Sequence, residues 1–93
     1  MICSVHLSQF KPNGPQLQVI AGYAPKIYGA ALPDDITPAR LEHDIEDYLR
    51  AEATTRGKTV DEYRPFKTRP RRDSCRRFIK QWREFYRSHS LRG

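Results

Sequence analysis

The last third of the chain decides both its fold and its charge, and it reads Pro70-Arg71-Arg72-Asp73-Ser74-Cys75-Arg76-Arg77-Phe78-Ile79-Lys80-Gln81-Trp82-Arg83-Glu84-Phe85-Tyr86-Arg87. The apolar residues recur there at helical spacing and are Cys75, Phe78, Ile79, Trp82, Phe85 and Tyr86. At about 100° per residue these positions fall on one face. The sequence therefore predicts a basic amphipathic helix over residues 69–88.

Cations form a second stripe beside that apolar face. The stripe consists of Arg72, Arg76, Lys80, Arg83 and Arg87, and Arg69 and Arg71 precede it. Cations at a helix N-terminus are disfavoured by the helix dipole, whereas free N–H groups beside guanidinium groups suit phosphate. These seven residues are therefore the predicted anion-binding site. Nucleic acid is the leading ligand, because its phosphates recur along a backbone as the cations recur along the helix.

The net charge of +6 is distributed unevenly along the 93 residues. Residues 1–33 carry +2, residues 34–62 carry −5 with nine acids against four bases, and residues 63–93 carry +9 with eleven bases against two acids. Internal ion pairs between the last two segments cannot neutralise every cation at the end of the chain. A charge surplus of this kind favours association with an anionic partner.

The first 33 residues show the alternation expected of β-strands. Cys3, Val5 and Leu7 alternate with polar residues, and the alternation resumes from Leu17 to Tyr23 after a turn-forming Lys11–Pro15 segment. This pattern predicts an antiparallel hairpin, and Lys26–Leu32 is a candidate third short strand.

The middle of the chain predicts an acidic helix over residues 37–56. Thr37 and Pro38 are favourable at the N-cap and first helical positions, and Gly57 suits the residue after a helix. The predicted fold class is accordingly α+β, a small antiparallel sheet covered by two C-terminal helices. We expect one domain over residues 1–93, with a tail over residues 89–93.

The predicted function is non-enzymatic binding of nucleic acid or a nucleoprotein complex. One alternative is a protein–protein inhibitor or adaptor of the phage or mobile-element type, which would dock the basic helix on an acidic or nucleic-acid-binding surface. A second alternative is a metal-independent small ribonuclease using His89 and Tyr86 with Arg83 and Arg87. Tyr86, beside the basic stripe, is the candidate for stacking on a base.

Other features of the sequence point to no cofactor and no metal. His6, His43 and His89 lie far apart and lack the spacing of a zinc site. Neither an export signal nor an apolar run of membrane-spanning length is present in the sequence. We therefore expect a cytoplasmic protein without a membrane partner. Cys3 and Cys75, the two cysteines, are expected to be free thiols, although their spacing alone leaves pairing open.

Overall fold

The computed structural model describes residues 6–90, and every regular element in that range is helical. A short 3-10 helix spans Leu7–Gln9, and four α-helices follow: α1 (Pro15–Tyr28), α2 (Pro38–Thr55), α3 (Arg64–Lys67) and α4 (Arg72–Ser90). Helices α1, α2 and α4 pack against one another, the 3-10 helix packs on α1, and α3 packs on α2. The fold of the described residues is thus a three-helix bundle with two short helical additions.

The predicted α+β class is wrong, because Leu7–Gln9 is a 3-10 helix and α1 occupies the second strand of the predicted hairpin and the first three residues of the candidate third strand. The predicted first strand covered residues 2–10, and its residues 2–5 lie outside the described residues. The buried side chains of α1 are Leu17, Ile20 and Ala24, which follow a helical period, whereas Val19, which supported the alternation, is 38% exposed. The side chains that recur with the 3.6-residue period of a helix are therefore buried, whereas Val19, which belongs to the competing two-residue alternation, lies partly in solvent.

Proline and glycine define α1 instead of breaking it. Pro15 lies in its first turn, and Gly14 before it has a φ of 109°, which suits glycine. Pro25 lies inside the helix, which continues to Tyr28. Gly29 then ends it with a φ of 85°, and its N–H donates to the Pro25 carbonyl over 2.9 Å.

Helices α2 and α4 occupy the segments where the sequence predicted helices over 37–56 and 69–88. The Thr37 hydroxyl accepts a hydrogen bond from the Arg40 N–H over 3.1 Å, as an N-cap does. After α2, Gly57 has a φ of 71°, and the N–H of Lys58 donates to the Ala53 carbonyl over 2.9 Å. This is the Schellman arrangement that a glycine favours.

The predicted tail begins later than expected, because α4 includes His89 and Ser90. His89 extends the helix by packing on the Phe85 ring at a centroid distance of 4.2 Å. Residues 91–93 of the predicted tail lie outside the described residues.

An aromatic cluster of the core lies where α4 meets the N-terminal segment. Phe10 is 5% exposed and lies among three aromatic rings of α4, with centroid distances of 5.3 Å to Phe78, 5.7 Å to Trp82 and 5.1 Å to Phe85. Cys75 is fully buried in the same core, and burial raises the pKa of its thiol to about 12. Cys75 is a free thiol, and the question of pairing with Cys3 lies outside the described residues. Four residues of the apolar face of α4 are thus buried in the bundle core, namely Cys75, Phe78, Ile79 and Trp82.

Gly22 lies inside α1 on its exposed side, and a Cβ built on it would meet no atom within 4 Å. Glycine in a helix interior costs about 0.5–1 kcal/mol relative to alanine. We expect Gly22→Ala to raise the free energy of unfolding by about 0.5–1 kcal/mol, measured by urea denaturation. The same substitution at Gly57 should destabilise the protein, because its φ of 71° is unfavourable for alanine. An equal response at both sites would contradict the backbone conformations described for Gly22 and Gly57.

Candidate nucleic-acid interface

The basic stripe of α4 lies on the exposed side of the helix. Arg72, Arg76, Lys80, Arg83 and Arg87 are all exposed, while Cys75, Phe78, Ile79 and Trp82 are buried. The structure therefore separates the cations from the core as the helical spacing predicted.

The N-terminal half of the stripe is engaged by carboxylates. Arg69 pairs with Glu46 of α2, and Arg72 pairs with Glu42 of α2 over 2.8 Å. These two ion pairs join α2 to the start of α4, which gives a structural reason for cations near a helix N-terminus. Arg76 pairs with Asp73 over 3.1 Å, but the Asp73 side chain is 90% exposed and the pair is weak in solvent.

Arg71 lies before α4 and apart from the basic stripe. It makes no ion pair with another described residue. It lines a small polar cavity of ≈ 140 Å³ together with Lys67, Arg69 and Glu42. Arg69 and Arg71 thus lie together where α2 meets the start of α4.

Arg83 is held in place by the backbone between α1 and α2. Its Nη2 donates to the carbonyl oxygens of Asp34, over 3.3 Å, and Ile36, over 3.2 Å. Carbonyl groups orient a guanidinium group without neutralising it. Arg83 is therefore held in a fixed position without a carboxylate partner among the described residues, which sequence spacing could not have indicated.

A groove runs between α4 and the segment before α2, and we call it the basic groove. It is ≈ 420 Å³ in volume and is lined by Ile36, Pro38, Arg76, Ile79, Lys80, Arg83, Glu84 and Arg87. Lys80, Arg83 and Arg87 form no ion pair with any carboxylate in residues 6–90. The C-terminal half of the stripe is thus a positively charged concave surface with Glu84 as its one acid.

A second cavity adjoins the basic groove, and we call it the aromatic pocket. It is ≈ 300 Å³ in volume and is lined by Leu32, Pro33, Asp34, Trp82, Arg83, Tyr86 and Arg87. Arg83 and Arg87 line both cavities. Tyr86 is 39% exposed, with its ring centroid 5.5 Å from that of Trp82. Charge and an accessible aromatic ring therefore meet at one place.

His89 is placed differently from the other candidate ribonuclease residues. Its Nδ1 donates to the Phe85 carbonyl over 2.9 Å, and its ring packs on the Phe85 ring. His89 follows Arg83 by six residues, so the two side chains leave the helix in directions about 120° apart around its axis. The helix thus brings Tyr86, Arg83 and Arg87 to one pocket but directs His89 elsewhere.

Two further acids of α2, Asp44 and Glu52, make contacts within the bundle. Tyr28 of α1 donates a hydrogen bond to Asp44, and burial together with this bond raises the Tyr28 pKa. Tyr63 donates to Glu52, and this hydrogen bond lowers the Glu52 pKa. These contacts hold α2 against α1 and the residues before α3. They leave the groove cations without α2 carboxylates as partners.

The sequence did not indicate which residues form the second wall of the two cavities. These residues are Leu32, Pro33, Ile36 and Pro38. Thr37 and Pro38 correctly indicated a helix start, but no local pattern indicated that this turn would face α4. Among the described residues, no group of three or more histidine, cysteine or acidic side chains is placed to hold a metal ion. None of the helices in residues 6–90 combines the length and apolar character needed to cross a bilayer.

The fold and site define a small helical protein with a basic groove beside an aromatic pocket. Comparisons with protein-family models, with curated proteins and with solved structures found no match.

Proposed function

We propose that the protein binds nucleic acid, alone or within a nucleoprotein complex, through the basic groove. The observation that carries this proposal is that Lys80, Arg83 and Arg87 line one groove without forming ion pairs to described carboxylates. Unneutralised cations on one surface attract a polyanion and release its counterions on binding.

The arrangement of the cations suits a chain of phosphates. Lys80 and Arg87 are seven residues apart, which places them about 10 Å apart along the helix axis. Arg83 lies between them with its guanidinium group already oriented by the Asp34 and Ile36 carbonyls. A fixed guanidinium group loses less conformational entropy on binding a phosphate, and it can bind two phosphate oxygens together.

The other predicted cations make smaller contributions in this proposal. Arg69 and Arg72 would have to leave Glu46 and Glu42, or share them, to bind phosphate. Arg76 lines the groove and has only the exposed Asp73 as partner, so it remains available. The proposed binding surface is therefore centred on the C-terminal half of α4. We expect the protein to act in the cytoplasm.

A second candidate is a protein partner, as an inhibitor or adaptor would have. The observation that favours it is the exposed Tyr86 beside Arg83 and Arg87, because tyrosine and arginine are enriched at the energetic centres of protein interfaces. An acidic protein surface would contact the same cations. The two candidates differ in whether a bare oligonucleotide suffices for binding.

The test is a fluorescence-anisotropy titration of duplex DNA, single-stranded DNA and RNA across a salt series. For three to four neutralised phosphates, log K should fall against log salt with a slope of about −3 to −4 on duplex or about −2 to −3 on a single strand. Recovery of intact probe afterwards would argue against the ribonuclease alternative. Absence of binding to all three probes at low salt would overturn the proposal and leave the protein partner.

A further inference from the structure

We infer that the aromatic pocket accepts one unpaired base, so that the ligand of the adjoining basic groove is a single strand, of RNA or DNA. This inference rests on the proposed function and concerns the class of nucleic acid. It is carried by the position of Tyr86, by the shared lining of the two cavities and by the location of Asp34.

Tyr86 differs from the other aromatic residues of α4. Phe78 is fully buried and Trp82 is 4% exposed, whereas Tyr86 is 39% exposed. Its ring centroid lies 5.5 Å from that of Trp82 with an angle of 40° between the planes, so Trp82 supports it from the core side. A supported and accessible ring is a platform on which a base can stack.

The pocket matches the two ends of a nucleotide. Leu32, Pro33 and the Tyr86 ring offer apolar surface to a base within ≈ 300 Å³. Arg83 and Arg87 line this pocket and the basic groove alike, so a base in the pocket would leave its phosphate beside them. A purely apolar ligand would form no ionic contact with Arg83 and Arg87.

Asp34 favours a neutral base over a phosphate inside the pocket itself. Asp34 lines the pocket and its side chain forms no ion pair with another described residue, while its backbone carbonyl accepts a hydrogen bond from Arg83. The pocket lining has two cations against this one acid, whereas the lining of the basic groove has four cations against one acid, so a phosphate is held more strongly in the groove. The base therefore belongs in the pocket and the phosphates in the groove.

A continuous duplex cannot satisfy this arrangement, because its bases are stacked on their neighbours and their faces are covered. Removing a base from the stack costs free energy, and this cost is absent in a single strand. Stacking on an aromatic side chain also tolerates any base, which agrees with a pocket lined mostly by apolar surface.

The experiment compares wild type, Tyr86→Ala and Tyr86→Phe on a 15-nucleotide single-stranded DNA, the matching RNA and the matching DNA duplex. Wild type should prefer the single strands. Tyr86→Ala should weaken single-strand binding by about 5- to 150-fold, while Tyr86→Phe, which keeps the ring, should bind nearly as well as wild type. A 2-aminopurine base in the single strand should lose fluorescence on binding wild type but not Tyr86→Ala.

The outcomes separate this inference from the proposed function. Equal affinity for duplex and single strand, with Tyr86→Ala unchanged, would overturn the inference and leave phosphate binding by the groove intact. Absence of binding to every probe would overturn the proposed function. A circular-dichroism melt of Tyr86→Ala, with the same midpoint as wild type, excludes unfolding as the reason for weaker binding.

Discussion

Replacing Lys80 and Arg87 together with glutamate should lower the affinity for a short nucleic acid by at least about 100-fold. A hydrogen bond to a charged group contributes about 1.5–3 kcal/mol, so two lost phosphate contacts correspond to about two to four powers of ten in affinity. The new carboxylates would also repel phosphates. The salt dependence of the remaining binding should become shallower by about 1.4 to 1.8 units of slope. Fluorescence anisotropy across the salt series measures both effects.

The fold should survive this double substitution, because both side chains are exposed and neither pairs with a described carboxylate. Glu84 lies within one helical turn of both positions, so added acids introduce local repulsion along α4. The neutral pair Lys80→Gln and Arg87→Gln avoids this repulsion and should produce a smaller loss of affinity. Circular-dichroism melts of both variants verify that α4 remains folded.

A matched control is available at the other end of α2. Lys58 and Arg64 are exposed and without described ion pairs, and α2 separates Lys58 from the groove residue Pro38 by about 27 Å of helix. Lys58→Glu with Arg64→Glu changes the net charge by the same amount as the groove variant and should retain most of the affinity. Equal losses in the two variants would mean that net charge, and not the groove, governs binding.

The helices that the sequence predicted correctly have caps and periodicity that agree. In α2, Thr37, Pro38 and Gly57 mark the ends of a segment whose buried residues recur every four positions. In α1 two patterns compete, because Leu17, Ile20 and Ala24 support a helix while the alternation through Val19 supports a strand. Packing of Ile20 and Ala24 against the other helices decides between them, and local sequence does not contain that information.

The helical spacing is the only feature of the sequence from which the candidate site could be predicted. That spacing placed the cations on one side of α4, but the partners of each cation depend on tertiary structure. Arg72 pairs with a carboxylate 30 residues away in the sequence, whereas Arg83 donates to two backbone carbonyls and has no carboxylate partner among the described residues. The division of one stripe into a paired half and a charged half follows from how α2 and the segment before it cross α4.

The second large effect is expected at Phe10, which anchors the N-terminal segment on α4. Truncating a buried phenylalanine costs about 3–5 kcal/mol, from lost burial and from the cavity that remains. Phe10→Ala also removes three aromatic contacts and should lower the free energy of unfolding by about that amount, a large share of the 5–15 kcal/mol typical of a domain. Urea denaturation measures the change, and the fluorescence of Trp82, the only tryptophan, reports on this cluster directly.

Two further variants separate the causes of this loss. Phe10→Leu keeps most of the buried volume without the ring and should cost less than about 1.5 kcal/mol if packing dominates. Val19→Ala truncates a side chain that is 38% exposed and should change stability by at most about 0.5 kcal/mol. An unchanged unfolding midpoint for Phe10→Ala would mean that residues 6–10 do not complete the core. Phe78, Trp82 and Phe85 would then need another partner for their apolar surface, because the basic stripe of the same helix must face solvent.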